Sequence, residues 1–126
     1  MPKSVPTLPG IEPSSYPFSQ VVEANGFVFV AGQVGEAPGG HSAVPGGIVP
    51  ETRAMLDNVG RLLHAAGLDF ANVVKSTVYL RDFGDFAEFN TVYREYFPTE
   101  PPTRATVGVT ALAVDFRVEI EVIAVR

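Results

Sequence analysis

Apolar and polar positions along the chain change period several times. In SQVVEANGFVFVAGQ two apolar runs flank Asn25-Gly26, a dipeptide suited to the two positive-φ positions of a type I′ turn. The pattern predicts a hairpin with strands over about 19–24 and 27–33. Residues 34–49 hold five Gly and two Pro without periodicity. They read as a loop and as the segment best suited to move. Met55, Leu56, Val59, Leu62, Leu63 and Ala66 then recur at helical spacing, with Glu51, Arg53, Asp57 and Arg61 mostly off that stripe. Pro50 fits a first turn, Glu51 meets its positive end, and Gly67 is a stop, so an amphipathic helix is predicted over 50–66. VVKSTVYL (73–80) is β-branched and reads as a third strand. Residues 85–97 place Phe86, Phe89, Tyr93 and Tyr96/Phe97 on one side of a second helix that Pro98 ends. After a Pro-rich connector at 99–103, strands are predicted over 104–110 and 116–125. Residues 1–16 carry Pro2, Pro6, Pro9 and Pro13 and read as an irregular, mostly extended arm.

The order β-β-α-β-α-β-β is an α+β plan, a single domain over 1–126 with 1–16 as its N-terminal arm. Two helices cover one face of such a sheet. The strands are apolar on both faces: Phe27 and Phe29 point one way, Val28 and Val30 the other. In the last strand Val118, Ile120 and Val122 oppose Ile123 and Val125. A bare apolar face of this extent is unusual for a monomer, so a homo-oligomer is expected. The pattern does not set the number of subunits.

The 126 residues are 46% hydrophobic and 18% charged, a globular composition. Acids outnumber bases 14 to 9, for a net charge of −5, which argues against nucleic acid as a partner. Cysteine is absent. That excludes disulfides, Cys-ligated metals and a thiol nucleophile, and it fits a reducing compartment such as the cytoplasm. The first residues show no apolar signal core, and no stretch nears the ~18 apolar residues of a membrane helix, so neither is expected.

None of the common nucleotide, metalloprotease or nucleophile-elbow motifs occurs. Gly39-Gly40 and Gly46-Gly47 read as loop flexibility. His41 sits in that loop and His64 near a helix end; both read as surface histidines, and no metal ligand set is evident. Glu119 and Glu121 are two apart in an otherwise apolar strand, on one face and about 7 Å apart. They face solvent or pair with Arg117; alternatively an oligomer buries them, which raises a carboxyl pKa toward acid–base use. Arg104 opens a strand after PTEPPT. It is either a strand-end surface charge or a fork for a substrate carboxylate.

Several segments together change this balance: PTRATVGVTALAVDFRVEIE (102–121), PFSQVVEANGFVFVAGQVG (17–35), TRAMLDNV, LHAAGLDFANVVKSTVYLRD and DFAEFNTVY. They closely resemble the Rid/YjgF family of reactive-intermediate (enamine/imine) deaminases, also labelled endoribonuclease L-PSP or translation inhibitor. The resemblance spans about residues 16–126; Thr110 departs from the pattern. It implies a chorismate-mutase-like fold, a homotrimer with ligand sites between subunits, and hydrolysis of 2-enamine/2-imine acids to 2-keto acids and ammonia without metal or organic cofactor. By position, Arg104 corresponds to the carboxylate-binding arginine and Glu119 to the acid that orients water and moves protons. Gly32 offers a backbone contact to the ligand carboxylate, and Asn90 and Thr106 line the cleft. Well-known active members have Tyr at Phe18 and Ser at Ala31, so two hydroxyls are missing and the pocket is more apolar. The alternatives implied are a non-catalytic carboxylate-binding trimer or a relative acting on a larger, 2-aminomuconate-like substrate. A ribonuclease role fits poorly with the acidic charge and scattered bases.

Overall fold

A computed structural model describes residues 2–126. The elements are β1 (Val21–Ala24), β2 (Phe27–Val34), α1 (Ile48–Ala65), β3 (Val73–Leu80), α2 (Phe86–Tyr96), β4 (Thr103–Gly108) and β5 (Val118–Val125). Short 3-10 turns at Phe70–Asn72 and Phe83–Asp85 lead into β3 and α2. The α+β plan and its element order are therefore as the pattern implies. The strands form one mixed sheet in the order β1-β2-β5-β3-β4, in which only the β3–β4 pair is parallel.

The hairpin follows from local chemistry. Asn25 and Gly26 take φ values of 53° and 81°, as a type I′ turn requires, and Ala24 pairs with Phe27. The arm runs along β1, with Ser4 and Glu23 exchanging backbone hydrogen bonds of 2.9 and 2.8 Å. On β2 the pairing with β5 slips between Val30 and Gln33, so Ala31 and Gly32 form a bulge.

One sheet face carries Val28, Val30, Val78, Leu80, Val118, Ile120, Val122 and Ala124, all buried. Met55, Leu56, Val59, Leu62 and Leu63 of α1 and Phe89 and Tyr93 of α2 close the core over it. On the other face Phe27 and Phe29 stay 44% and 42% exposed, joined by Ile123 and Val125 opposite them and by Val107 on β4. The bare apolar face expected of the strand pattern is present on this chain.

Several expectations need correction. The strands at the ends are shorter than their apolar patterns: β1 starts at Val21, β4 stops at Gly108, and β5 starts at Val118. Helix α1 begins two residues earlier, at Ile48, with Pro50 still in its first turn. Glu51 is not on a solvent face. It is 2% exposed, and its Oε2 accepts the N–H groups of Arg117 (2.6 Å) and Val118 (3.3 Å). Helical spacing could not show this, because the loop before β5 crosses over the start of α1. The predicted 34–49 loop is present between β2 and α1, and it makes several contacts. Asn58 Nδ2 donates to the carbonyls of Val34 and Glu36, both at 2.9 Å, Val44 N–H donates to Gly35, and Ala43 N–H to Asp115.

Candidate functional site

Arg104 lies at register with Ser76 of β3, so it shares the helix-covered face at the β4 edge of the sheet. Phe86, Phe89 and Tyr93 recur at i, i+3 and i+7 along α2 and form a wall behind its guanidinium. The Cζ stands 5.7, 5.5 and 4.7 Å from their ring centres. Stacking on aromatic faces suits a planar cation and leaves its N–H fork free to point outward. Tyr93 is itself fixed, its hydroxyl 2.7 Å from the buried Ser76 Oγ. Burial raises the Tyr93 phenol pKa, partly offset by Ser76 and by the Arg104 charge. A cleft of about 230 Å3 opens here, lined by Asn90, Tyr93, Arg94, Phe97, the Pro101-Pro102 corner and Arg104. Thr106, two residues along β4, shares the face; its buried Oγ1 has no hydrogen-bond partner among the described residues.

Glu119 occupies the opposite, bare face. It pairs with Tyr79 of β3 and Val34 of β2, and it is half-buried. Its carboxylate rests directly over Gly32 in the bulge, where any added Cβ would overlap Oε2. Glycine is required there by close approach rather than by backbone angle. Burial raises the Glu119 pKa above the ordinary carboxylate range, and the charge of Glu121 raises it further. Tyr79, facing both acids, has its phenol pushed up by burial first and then by Glu121 and Glu119. The ion pair with Arg117 does not form: that guanidinium turns to Asp85, 3.4 Å away. Arg117 precedes β5, where Glu51 holds its N–H, so strand alternation does not govern its direction.

The chain thus brings Glu119 and Gly32 together, and it brings Arg104 and Asn90 together in one cleft, with Thr106 on the same sheet face outside its lining. It separates the two groups. β3 lies between β5 and β4, so their backbones are roughly 10 Å apart, with the side chains on opposite faces. No small acid can touch both groups on one chain. Ala31 sits in the bulge, its N–H donating to Gln20 (2.9 Å) and its carbonyl accepting from Gln33 (3.0 Å). Phe18 lies outside the lining of the Arg104 cleft, two residues before Gln20, whose carbonyl takes the Ala31 N–H. It is 53% exposed, stacked on Tyr16 with ring centres 6.4 Å apart, and lines a cavity of about 430 Å3 under the N-terminal arm. His41 and His64 are exposed, His64 standing 3.4 Å from Asp69. Among the described residues no group of three His, Cys, Asp or Glu could hold a metal ion, and no helix is long and apolar enough to cross a membrane.

Three contributors escaped sequence reasoning. Glu51 required knowledge of the crossing loop, and Tyr79 required the strand order. Arg94 had a usable signal, its i+4 spacing from Asn90 on α2.

Fold and site together define a class: small α+β proteins with a ring-backed arginine at a sheet edge and a raised-pKa acid on a bare sheet face. The chain belongs to the Endoribonuclease L-PSP family, whose model matches residues 11–126; this is the Rid/YjgF kinship that the residues suggested. It is 47% identical over 110 residues to "2-iminobutanoate/2-iminopropanoate deaminase" of Capra hircus, covering 87% of this chain and 80% of the relative. The crystal structure of yeast Mmf1 superposes with a TM-score of 0.89 at 37% identity, covering 99% of both chains. That of E. coli TdcF with bound serine gives 0.83 at 36% identity, covering 90% of this chain and 91% of the other.

Proposed function

We propose that the protein hydrolyses 2-enamine and 2-imine acids to 2-keto acids and ammonia, in clefts between copies of the chain. The enzyme class, deaminase-like, follows from relatives such as the goat protein; the residue roles are inferred. The single observation that carries the assembly is the division of the site: Arg104 at one edge, Glu119 on the opposite face. A neighbour laying its bare face along the β4–α2 side brings its Glu119 to this chain's Arg104. Repeated in a closed ring, that contact is heterologous, and a homotrimer satisfies it while covering Phe27, Phe29 and Val107.

The chemistry needs position more than power. Arg104 clamps the substrate carboxylate bidentately, with Asn90 beside it, and fixes the imine carbon in space. The neighbour's Glu119 faces that carbon across Gly32. An enamine first takes a proton at its β-carbon to become the imine. Glu119 then accepts a proton from water as the water oxygen bonds to C2 and the C=N pair moves to nitrogen. That proton passes to nitrogen to give the carbinolamine; Glu119 then takes the hydroxyl proton and hands it to nitrogen, the oxygen pair forms the carbonyl as the C–N bond breaks, ammonia leaves and the 2-keto acid remains. A carboxyl with a raised pKa suits both transfers. Thr106 and the Ala31-Gly32 backbone line the remaining wall. With Phe18 and Ala31 supplying no hydroxyl, the wall is apolar. A reducing cytoplasm suits the cysteine-free chain.

A dehydratase-coupled assay tests the reading, with 2-iminobutyrate generated in situ and semicarbazide as the trap. Wild type lowers semicarbazone formation and speeds keto-acid release. Arg104→Ala abolishes the effect, and Glu119→Gln reduces the rate about 10²-fold or more, the usual contribution of a positioned acid–base group. Phe18 and Ala31 support a second reading, a non-catalytic carboxylate-binding oligomer. Under that reading carboxylates bind through Arg104 and the wild-type rate equals the buffer rate.

A further inference from the structure

Arg104 is not alone in its cleft. Arg94 lines the same cleft, one helical turn beyond Asn90, and no carboxylate stands in its wall. Neither arginine forms an ion pair among the described residues. The helical neighbours of Arg94 at three and four residues are Asn90, Thr91, Phe97 and Pro98, all uncharged. The adjacent Glu95 is committed to Arg53, 2.6 Å away on α1. In a chain with 14 acids and 9 bases, two arginines without an ion pair thus line one cleft of about 230 Å3. Both are permanently charged, and a single carboxylate neutralises only one of them.

We propose that this cleft takes a dicarboxylic 2-imino acid of four or five carbons, with Arg104 on the carboxylate next to the imine carbon and Arg94 on the distal carboxylate. The inference rests on the deaminase reading and narrows its substrate class. The two arginines suit different tasks. Arg104 is braced by three rings and fixes the reacting end. Arg94 is exposed on the helix surface, so its long side chain adapts to the length of the substrate. The reaction is unchanged: water adds at C2, the C–N bond breaks, ammonia leaves, and nothing is oxidised or reduced. Arg94 touches no reacting atom and acts as a specificity-determining residue.

The test uses the full chain in its native assembly. The probes are 2-iminosuccinate and 2-iminobutyrate, made in situ by flavin oxidases from D-aspartate and D-2-aminobutyrate, with semicarbazide as the trap. The ratio of kcat/KM for the dicarboxylate over the monocarboxylate is expected to exceed one in wild type. It falls about tenfold in Arg94→Gln, the size of one charge-assisted contact, and recovers largely in Arg94→Lys. Arg104→Ala loses both substrates. A wild-type ratio of one or less, or a ratio that Arg94→Gln leaves unchanged, overturns the inference while the deaminase reading stands. If neither imine is hydrolysed above the buffer rate, the deaminase reading fails instead, and calorimetric titration with succinate and butyrate decides. Tighter succinate binding that depends on Arg94 then supports the dicarboxylate cleft, and equal binding overturns it.

Discussion

Three neighbours suit the Glu119 carboxyl to the role proposed for it. Gly32 lets it lie flat against β2, the sheet removes part of its water, and Glu121 adds a like charge on the same face. All three favour the protonated form relative to an ordinary glutamate. Removing one of them therefore has a definite sign. Glu121→Gln deletes the negative neighbour, so the Glu119 pKa moves down toward the ordinary range. If Glu119 must be ionised to accept the proton of water, the acid limb of the pH profile of kcat/KM moves to lower pH in this variant. An acid limb that stays in place or moves up would remove Glu119 from the base role. Residue types and the two-residue spacing made this pair visible along the chain. The partnership with Gly32 was not visible, since it depends on a bulge and on which strand lies beside β5.

Elements whose shape is decided locally were legible from the chain. The β1–β2 hairpin needs two positive-φ residues, and Asn25-Gly26 supplies them. Helix α1 needs an apolar stripe, and Met55 to Leu63 supply it. Where elements end was less legible, because ends are settled by contacts distant in sequence. The start of β5 is the clearest case. Phe116 and Arg117 have strand-like neighbours, yet β5 begins only at Val118, where the buried Glu51 of α1 takes both leading N–H groups. This contact fixes the chain one and two residues before Glu119. Glu51→Leu strands two donors and costs about 1–3 kcal/mol for each, so the melting temperature should drop clearly. Glu51→Gln keeps an acceptor and isolates the charge. Burial raises the folded-state pKa of Glu51 despite the two N–H groups, so the folded protein holds this proton more tightly than the unfolded chain does. Its stabilising contribution is complete below the unfolded pKa near 4.5 and is lost as pH rises through the folded value. Melting temperatures should therefore shift in favour of Glu51→Gln relative to wild type as pH rises from about 4.5, until the folded Glu51 is fully ionised. The opposite trend would mean that the two N–H groups outweigh burial.

For the whole molecule, the decisive fact is that Arg104 and Glu119, the two halves of the proposed site, lie on opposite faces of one sheet. Alternation within each strand could be read along the chain, and so could the bare apolar face. That Arg104 and Glu119 diverge could not, because it needs the order β5-β3-β4 and the parallel register of β3 with β4. The division makes the proposed assembly testable without a structure of the complex. As pure assemblies Arg104→Ala is expected to be inactive and Glu119→Gln to keep about a hundredth of the rate or less. Co-expressed in equal amounts, they form mixed rings in which some interfaces join an intact Arg104 from one variant to an intact Glu119 from the other. Random mixing restores about a quarter of the wild-type sites, whatever the number of subunits in the ring. Imine hydrolysis by the co-expressed pair should approach that fraction, while the two variants mixed after folding, without exchange, should stay at the rates of the pure assemblies. A site complete within one chain gives no recovery under either condition. As a companion measurement, Phe29→Glu places a charge on the apolar face and should convert the native mass to that of a single chain. Activity should disappear with it, since each half-site loses its partner. A monomer of Phe29→Glu that still hydrolyses imine would show that Arg104 and Glu119 do not need each other.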